Sequence, residues 1–477
     1  MNTDAPWPSL AEAEQRVLNI QTKLHHWAID DPNRRFDDLH NLVCDPAFLV
    51  VAWGRVRGNK GARTAGVDGV KPGSIVFGEA FLTGLRDDLK ARRFVPMPVR
   101  EKLIPKKSGK LRGLGIPTAR DRTVQGALKL VLEPIFEADF KPCSYGFRPG
   151  RRAQDAIAEI CYLTTGSRNY EWVLEGDIKA CFDEIDHSAL MGRVRHRIGD
   201  RRVLGLVKAF LNAGVLSEDG VERDTITGTP QGGIISPLLA NIALSVLDEH
   251  FAAAWQAWGS ASRRHRLRRK GIATYRIVRY ADDFVVMVTG TRADTETLRA
   301  EVAAVIRPMG LRLSDEKTVI THIEEGFDFL GWRIQRQMSR GTGKRYTYTF
   351  PSKASLAGIK AKVRTLTRGG TNVSLKVLLY RLNPVLRGWT NYFRPGSSSA
   401  TFGYLTHFSW WRVNHWLRHK HPRANWQQLR GRYTLWSGPS DDGMVLFKPE
   451  ALGTTRYRYR GTKIPSPWSR ADATAVA

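Results

Sequence analysis

The sequence predicts an α+β fold, and three observations carry that prediction. Short apolar runs rich in strand formers alternate with stretches whose apolar residues recur at helical spacing. Two adjacent acids, Asp282 and Asp283, interrupt one such run in "RYADDFVVMV", between the predicted strands Tyr275–Val278 and Phe284–Val288. The positive charge is concentrated at one end of the chain.

Residues 1–50 read as largely helical, with "LAEAEQRVLNIQTKLHHWAI" apolar at helical spacing. "VRGNKGARTAGVDGV" is glycine-rich and basic and predicts an exposed loop. "FLTGLRDDLKARRF" predicts an amphipathic helix. "PVREKLIPKKSGKLRGLGIP" alternates apolar with basic residues around Ser108-Gly109 and predicts a hairpin with a basic face. "RDRTVQGALKLVLEPIF" is helical. "WVLEGDIKACFDEIDHSAL" opens as a buried strand, Trp172–Ile178, and becomes a helix near Asp183–Ser188, for which Asp183 is the expected cap. "GTPQGGIISPLLANIALSVLDEHF" is a glycine turn and a long apolar helix. "DTETLRAEVAAVIRPMGL" is a helix with an acidic first turn and a Pro-Gly stop. The α+β core spans roughly 90–345, a mainly helical region 350–430, and a Pro/Gly-rich basic stretch 431–477.

Hydrophobic content of 42% and charged content of 25% place the chain among globular proteins. No apolar run is long enough to span a bilayer, so no membrane partner is expected. "MNTDAPWPSLAEAEQ" is acidic and resembles neither a secretory signal nor a transit peptide. Cys44, Cys143, Cys161 and Cys181 form no Cys-x-x-Cys pair, which argues against a zinc knuckle and suits a reducing cytoplasm.

The net charge is +28. Residues 331–477 hold 26 Lys/Arg against 4 Asp/Glu, whereas residues 1–330 hold 48 against 42. Eight of the 14 Trp also lie in the basic third. Cations interleaved with aromatics point to phosphate backbones and stacked bases. "SRRHRLRRK" (262–270) adds six cations in a predicted loop, either solvated or in contact with RNA.

Unpaired buried acids are costly, so Asp177, Asp282 and Asp283 need a cation if their strands share a sheet. Carboxylate oxygens suit Mg²⁺, and two such ions activate a 3′-hydroxyl and stabilise a leaving pyrophosphate. An isolated Asp-Asp reads more readily as a tight turn whose acids face water than as a catalytic pair.

Ordered companions decide between these readings. The chain shows "NKGARTAGVDGV", "IPKKSGKLRGLGIPTARDRTVQ", "PIFEADFKPCSYGFRPGRRAQDAI", "EGDIKACFDEIDH", "GTPQGGIISPLLANI", "RYADDF", "LRLSDEKT", "FDFLGW" and "LNPVLRGWTNYF", in that order over residues 59–393. In these motifs it resembles group II intron-encoded reverse transcriptase/maturases. The resemblance implies a right-hand polymerase: an N-terminal extension and fingers loop (1–90), fingers and palm with an antiparallel palm sheet (91–345), a helical thumb/X domain (346–430) and a small basic DNA-binding tail (431–477).

The resemblance makes Asp177 and Asp282 the principal metal ligands, with Asp283 and the Ile178 carbonyl beside them. The implied cofactor is a pair of Mg²⁺ ions, with Mn²⁺ as an alternative. Lys106 and Arg112 match fingers residues that hold the incoming triphosphate, and Gln231 matches the glutamine that touches the nucleotide. Phe182 matches the steric gate against a ribose 2′-hydroxyl, and is otherwise a core Phe. Lys317 matches a proton donor to pyrophosphate, and "FLGW" (329–332) resembles the primer grip. Asp183, Asp186 and His187 read as structural. Many family members also carry an HNH endonuclease. Here no cysteine follows Cys181, and His415, His419 and His421 read as a basic helical surface, so no endonuclease is expected.

The implied function is RNA-directed DNA synthesis and splicing assistance. The implied partners are intron RNA, a DNA target and primer, and dNTPs, in a bacterial cytoplasm and at the nucleoid. Rivals are a related reverse transcriptase used in defence or spacer acquisition, a splicing-only maturase, and an RNA-dependent RNA polymerase.

Overall fold

The computed structural model describes residues 7–105, 109, 111–217, 221–223, 227–339, 341–435, 438–461 and 463–469. Four helices open it: α1 (Leu10–Asp30), α2 (His40–Val43), α3 (Pro46–Gly58) and α4 (Gly78–Lys90). Ser9 and Glu12 close a capping box on α1, and Asp45 caps α3 ahead of a proline at its first position. The predicted loop after α3 contains one 3₁₀ turn, Lys60–Arg63.

The hairpin expected at Ser108-Gly109 is β1 (Val99–Pro105) with β2 (Leu111–Ile116), paired from Arg100↔Ile116 to Pro105↔Leu111. Lys106 and Ser108 lie outside the described residues. Helix α5 (Ala119–Glu137) follows and is almost wholly buried against α1 and α3. Pro134 inside α5 lacks the N–H that would bond the Leu130 carbonyl. Gln21 on α1 supplies it instead, its Nε2 donating to Leu130 O at 2.7 Å, and His25 Nδ1 lies 2.8 Å from Pro134 O.

Helix α6 (Ala153–Thr164) leads to strand β3 (Trp172–Asp177), then to α7 (Cys181–Glu184), α8 (His187–Arg197) and α9 (Arg201–Leu211). Short strands β4 (Val215–Leu216) and β5 (Glu222–Arg223) extend the β1–β2 hairpin into a sheet, in the order β2-β1-β4-β5. Helices α10 (Ser236–Ala257) and α11 (Ala261–Arg269) precede the hairpin β6 (Thr274–Tyr280) and β7 (Asp283–Thr289). Helix α12 (Arg292–Ile306) and strand β8 (Val319–His322) complete the palm.

The palm sheet runs β6-β7-β3-β8 with every pair antiparallel. Both of its faces are covered, which is why its strands read as unbroken apolar runs. Leu174, Ile277, Val286 and Val288 face one core with α10 and α12. Val173, Val278, Val285 and Met287 face the other with α6.

Beyond the palm lies a second sheet, β9 (Phe327–Phe329), β10 (Trp332–Met338) and β11 (Arg345–Pro351). Helices α13 (Lys353–Arg368), α14 (Leu375–Phe393), α15 (Ser399–Lys420) and α16 (Trp426–Tyr433) follow and share a third core. A small sheet, β12 (Thr434–Leu435), β13 (Gly438–Asp441) and β14 (Met444–Val445), seals one end.

The last described stretch is no free tail. Thr455 bonds Arg394 O, Tyr457 and Arg460 bond Asp155 on α6, and Trp468 packs on His25. Tyr457 and Tyr459 turn inward while Arg456 and Arg458 stay exposed.

Candidate active site

The two acids of "RYADDF" sit at a turn that the protein holds from beneath. Ala281 takes a positive φ of 58° there. Gly146 lies so close that a Cβ on it would collide with the Ala281 backbone. Fully buried Arg279 spans the space below. Its guanidinium meets Asp248 through Nε at 2.9 Å and Nη2 at 2.5 Å, and donates to Asn241 Oδ1 (2.9 Å), Ser144 Oγ (2.8 Å) and the Ala281 carbonyl (3.0 Å).

Register does the rest. Asp283 stands opposite both Tyr280 on β6 and Asp177 at the end of β3. The Asp177 carbonyl accepts from Ser314 N at 2.8 Å, which brings the "SDEKT" segment alongside. Lys317 Nζ then lies 2.8 Å from Asp177 Oδ2.

The acids also disturb one another. Burial pushes the Asp282 carboxyl above its ordinary value, and Asp177 adds to that push. Asp283 reaches solvent at the mouth of the site, yet surrounding protein, then Asp282 and Asp177, raise it to about 6. The bond to Asp177 holds the Lys317 ammonium above its usual range. Among the described residues, no group of three or more His, Cys, Asp or Glu is arranged to close on a metal ion. Crowded carboxylates nonetheless fit a hard divalent cation, with water and substrate phosphate completing its shell.

The fingers reach the same point. Arg112 Nε donates to Gln231 Oε1, and Gln231 Nε2 donates to Asp183 at 3.1 and 3.2 Å. The Gln231 carbonyl accepts from Gly115 N at 2.6 Å, and Gly232, at φ 116°, passes too close to Gly115 for any Cβ. The charge of Arg112 is felt at Asp282. Ile178 is buried and bridges to Leu313. Ala180, at φ 43°, swings the chain from β3 into α7, where Phe182 joins the hydrophobic core. Phe182 is 9% exposed and its carbonyl accepts from Thr229 N at 2.5 Å.

Residues 104–334 match the reverse transcriptase (RNA-dependent DNA polymerase) family, and residues 356–434 match the group II intron maturase-specific domain. The chain is 39% identical over 374 residues to Protein YkfC of Escherichia coli strain K12, an alignment covering 73% of this chain and 97% of that protein. It is 36% identical over 385 residues to the group II intron-encoded protein LtrA of Lactococcus lactis subsp. cremoris, covering 71% of this chain and 62% of LtrA. A 91 kDa protein in the cob intron of Schizosaccharomyces pombe is 31% identical over 460 residues, covering 82% and 56%. The chain therefore spans less than two thirds of the length of the latter two. It belongs to the group II intron-encoded reverse transcriptase/maturase family.

In this family member the structure brings Asp177, Ile178, Phe182, Arg112, Gln231, Asp282, Asp283 and Lys317 to one end of the palm sheet; Lys106 falls outside the described residues. The "FLGW" turn lies elsewhere, between β9 and β10 and against α13 and α14. There Leu330 and Gly331 have φ of 50° and 81°, and their carbonyls accept from Tyr392 OH (2.8 Å) and from Ser352 N and Ser355 Oγ (both 2.9 Å).

Two expectations are corrected. The cap of α8 is Asp186, which accepts from Ala189 N at 2.7 Å, because Asp183 is spent on Gln231. His187 bonds the Gly228 carbonyl at 2.6 Å. The expected loop at 262–270 is instead helix α11, Ala261–Arg269, closed by Lys270. Ser260 caps it and Arg268 ties it to Tyr170 OH and Thr274 Oγ1, so contacts beyond the segment replace the apolar stripe it lacks. The positioning group Arg279–Asp248 was missed. Its signal was an arginine and an acid inside otherwise apolar elements.

Proposed function

We propose that this protein is an RNA-directed DNA polymerase and maturase of a group II intron. It binds the intron RNA, assists its splicing, and copies it at a DNA target during retrohoming. The observation that carries the polymerase reading is the register pairing of Asp177 with Asp283 beside Lys317, with Arg112 and Gln231 reaching in from the fingers.

Asp177 and Asp282, with Asp283 and the Ile178 carbonyl, would hold two Mg²⁺, which when bound supply positive charge to the 3′-hydroxyl and the leaving pyrophosphate. Arg112 and Lys106 bind the triphosphate, Arg112 through its planar fork. Gln231 orients the nucleotide from a backbone fixed to Gly115. Phe182 acts as the gate against a ribose 2′-hydroxyl. Lys317, protonated beside Asp177, is suited to give its proton to pyrophosphate.

Residues 91–345 act as fingers and palm, 346–430 as thumb/X domain, and 431–477 as a nucleic-acid-binding region that presents Arg456 and Arg458 outward. Among the described residues no helix is long and apolar enough to cross a membrane; work at the bacterial nucleoid belongs to the same proposal.

The deciding experiment is primer extension on an RNA template with Mg²⁺ and dNTPs. Wild type should extend, and Asp282→Ala should lose about 10⁴-fold in rate with RNA binding retained. Substantial activity in the variant would sink the site. Equal use of ribonucleotides by wild type would remove Phe182 as a gate.

A further inference from the structure

A second basic and aromatic cleft lies away from the acids. It measures about 480 Å³ and is walled by α6, α10, α11, β6 and the C-terminal stretch. Arg276, on its floor, is four residues from Tyr280 along β6, roughly 13 Å towards the opposite end of the palm sheet. The cleft is therefore separate from the polymerase site.

Its charges are one-sided. Arg168, Arg264, Arg268 and Arg276 all line it. Against them stands one carboxylate, Glu159, which is 1% exposed and already shared by Arg276 (2.8 Å), Tyr145 OH (2.6 Å) and Tyr459 OH (3.1 Å). The Arg264 guanidinium is held below its ordinary value, by burial first and then by Arg268 and Arg276. Crowded guanidiniums of this kind gain from a bound anion.

Its rings are arranged for stacking. Arg264 and Arg276 lie 3.9 and 4.5 Å from the centre of the Trp255 ring, and Arg168 lies 3.5 Å from that of Tyr162. Tyr162 in turn stands 4.6 Å from Tyr459. The C-terminal stretch thus completes a wall begun by the palm.

We infer that this cleft binds an unpaired RNA nucleotide, its phosphate among Arg168, Arg264 and Arg268 and its base against Trp255 and Tyr459. The volume is that of a small-molecule pocket and admits one splayed nucleotide, not a duplex. A base reaches these rings only when unstacked, and folded RNA offers such bases in loops and bulges while duplex DNA does not.

The test is photo-cross-linking of the full chain to a short oligouridylate carrying one 4-thiouridine, with no dNTP or metal present. Its failure is thus distinct from failure of the polymerase reading. Peptides spanning Trp255–Arg276 or containing Tyr459 should carry the cross-link. Trp255→Ala should lower the yield there about fivefold or more, and Trp255→Phe should recover most of it. Arg264→Lys, which keeps the charge and the fold but loses the plane, should also lower it. An RNA duplex, single-stranded DNA of the same sequence and inorganic polyphosphate should each compete poorly. Cross-links confined to the polymerase cleft, or a yield indifferent to Trp255→Ala and Arg264→Lys, would overturn the assignment. Equal competition by polyphosphate would reduce the site to charge alone, and equal competition by the DNA strand would overturn RNA as its ligand.

Discussion

The palm and the helices α13–α15 use the same cation, arginine, in opposite ways. In the palm and the helices around it, two buried guanidiniums have fixed counter-charges: Arg279 has Asp248 and Arg148 has Glu137. Helices α13, α14 and α15 carry no Asp or Glu at all. Among the described residues, their one ion pair joins Lys376 to Asp442 outside them. Arg364 and Arg368 instead press on Arg412, whose guanidinium is lowered by burial and then by those two neighbours. Paired cations build a scaffold; unpaired ones await a polyanion. The difference teaches where in a basic chain to look for bound nucleic acid.

The comparison breaks if the palm pair is dispensable. Asp248→Ala leaves Arg279 buried without its counter-charge and should cost about 3–5 kcal/mol in denaturant unfolding. The YADD turn should loosen with it, since Arg279 also holds the Ala281 carbonyl. A loss under about 1 kcal/mol would mean that Asn241 and Ser144 suffice to hold the guanidinium.

The second region answers to salt instead. Replacing Arg364, Arg368 and Arg412 together by Gln should leave the unfolding midpoint nearly unchanged. The slope of log affinity against log salt for RNA should fall by about 2. An unchanged slope would mean that these cations do not meet phosphate.

Much of this was legible in sequence where one physical demand dominated. The palm strands were visible as apolar runs because both faces of the sheet are covered, and the acids were visible because they interrupt those runs. The N-terminal helices were marked by spacing. What was not legible depends on partners distant in the chain. Asp183 has the composition and position of a cap, but its choice of Gln231 is set by a turn 48 residues later. Helix α11 has no apolar stripe, so only Tyr170 and Thr274 reveal it. The C-terminal stretch looked like a free basic arm, and nothing local shows that Tyr457, Tyr459 and Trp468 are anchors.

The smallest expected effect sharpens the comparison at that anchor. His25 is 4% exposed, 2.8 Å from the Pro134 carbonyl and 3.1 Å from Ser466 Oγ, and it packs on Trp468. Burial holds its imidazole below the usual value, against the pull of the Pro134 carbonyl and Glu137, and His26 lowers it further. The unfolded chain therefore takes up the proton first. Stability is full above about pH 6.5 and is lost as pH falls below it, because protonation places a new cation where no dedicated acid waits. Thermal unfolding between pH 5 and pH 7.5 should show this decline, and His25→Gln should flatten it while lowering stability slightly at pH 7.5. Limited proteolysis after residue 455 should quicken at pH 5 in wild type only. An equal acid response in His25→Gln would move the effect to His40, whose imidazole is also lowered by burial and then by Arg202. The hold on the C-terminal stretch would then be indifferent to acid, with Arg460 paired to Asp155 and Trp468 still seated on His25.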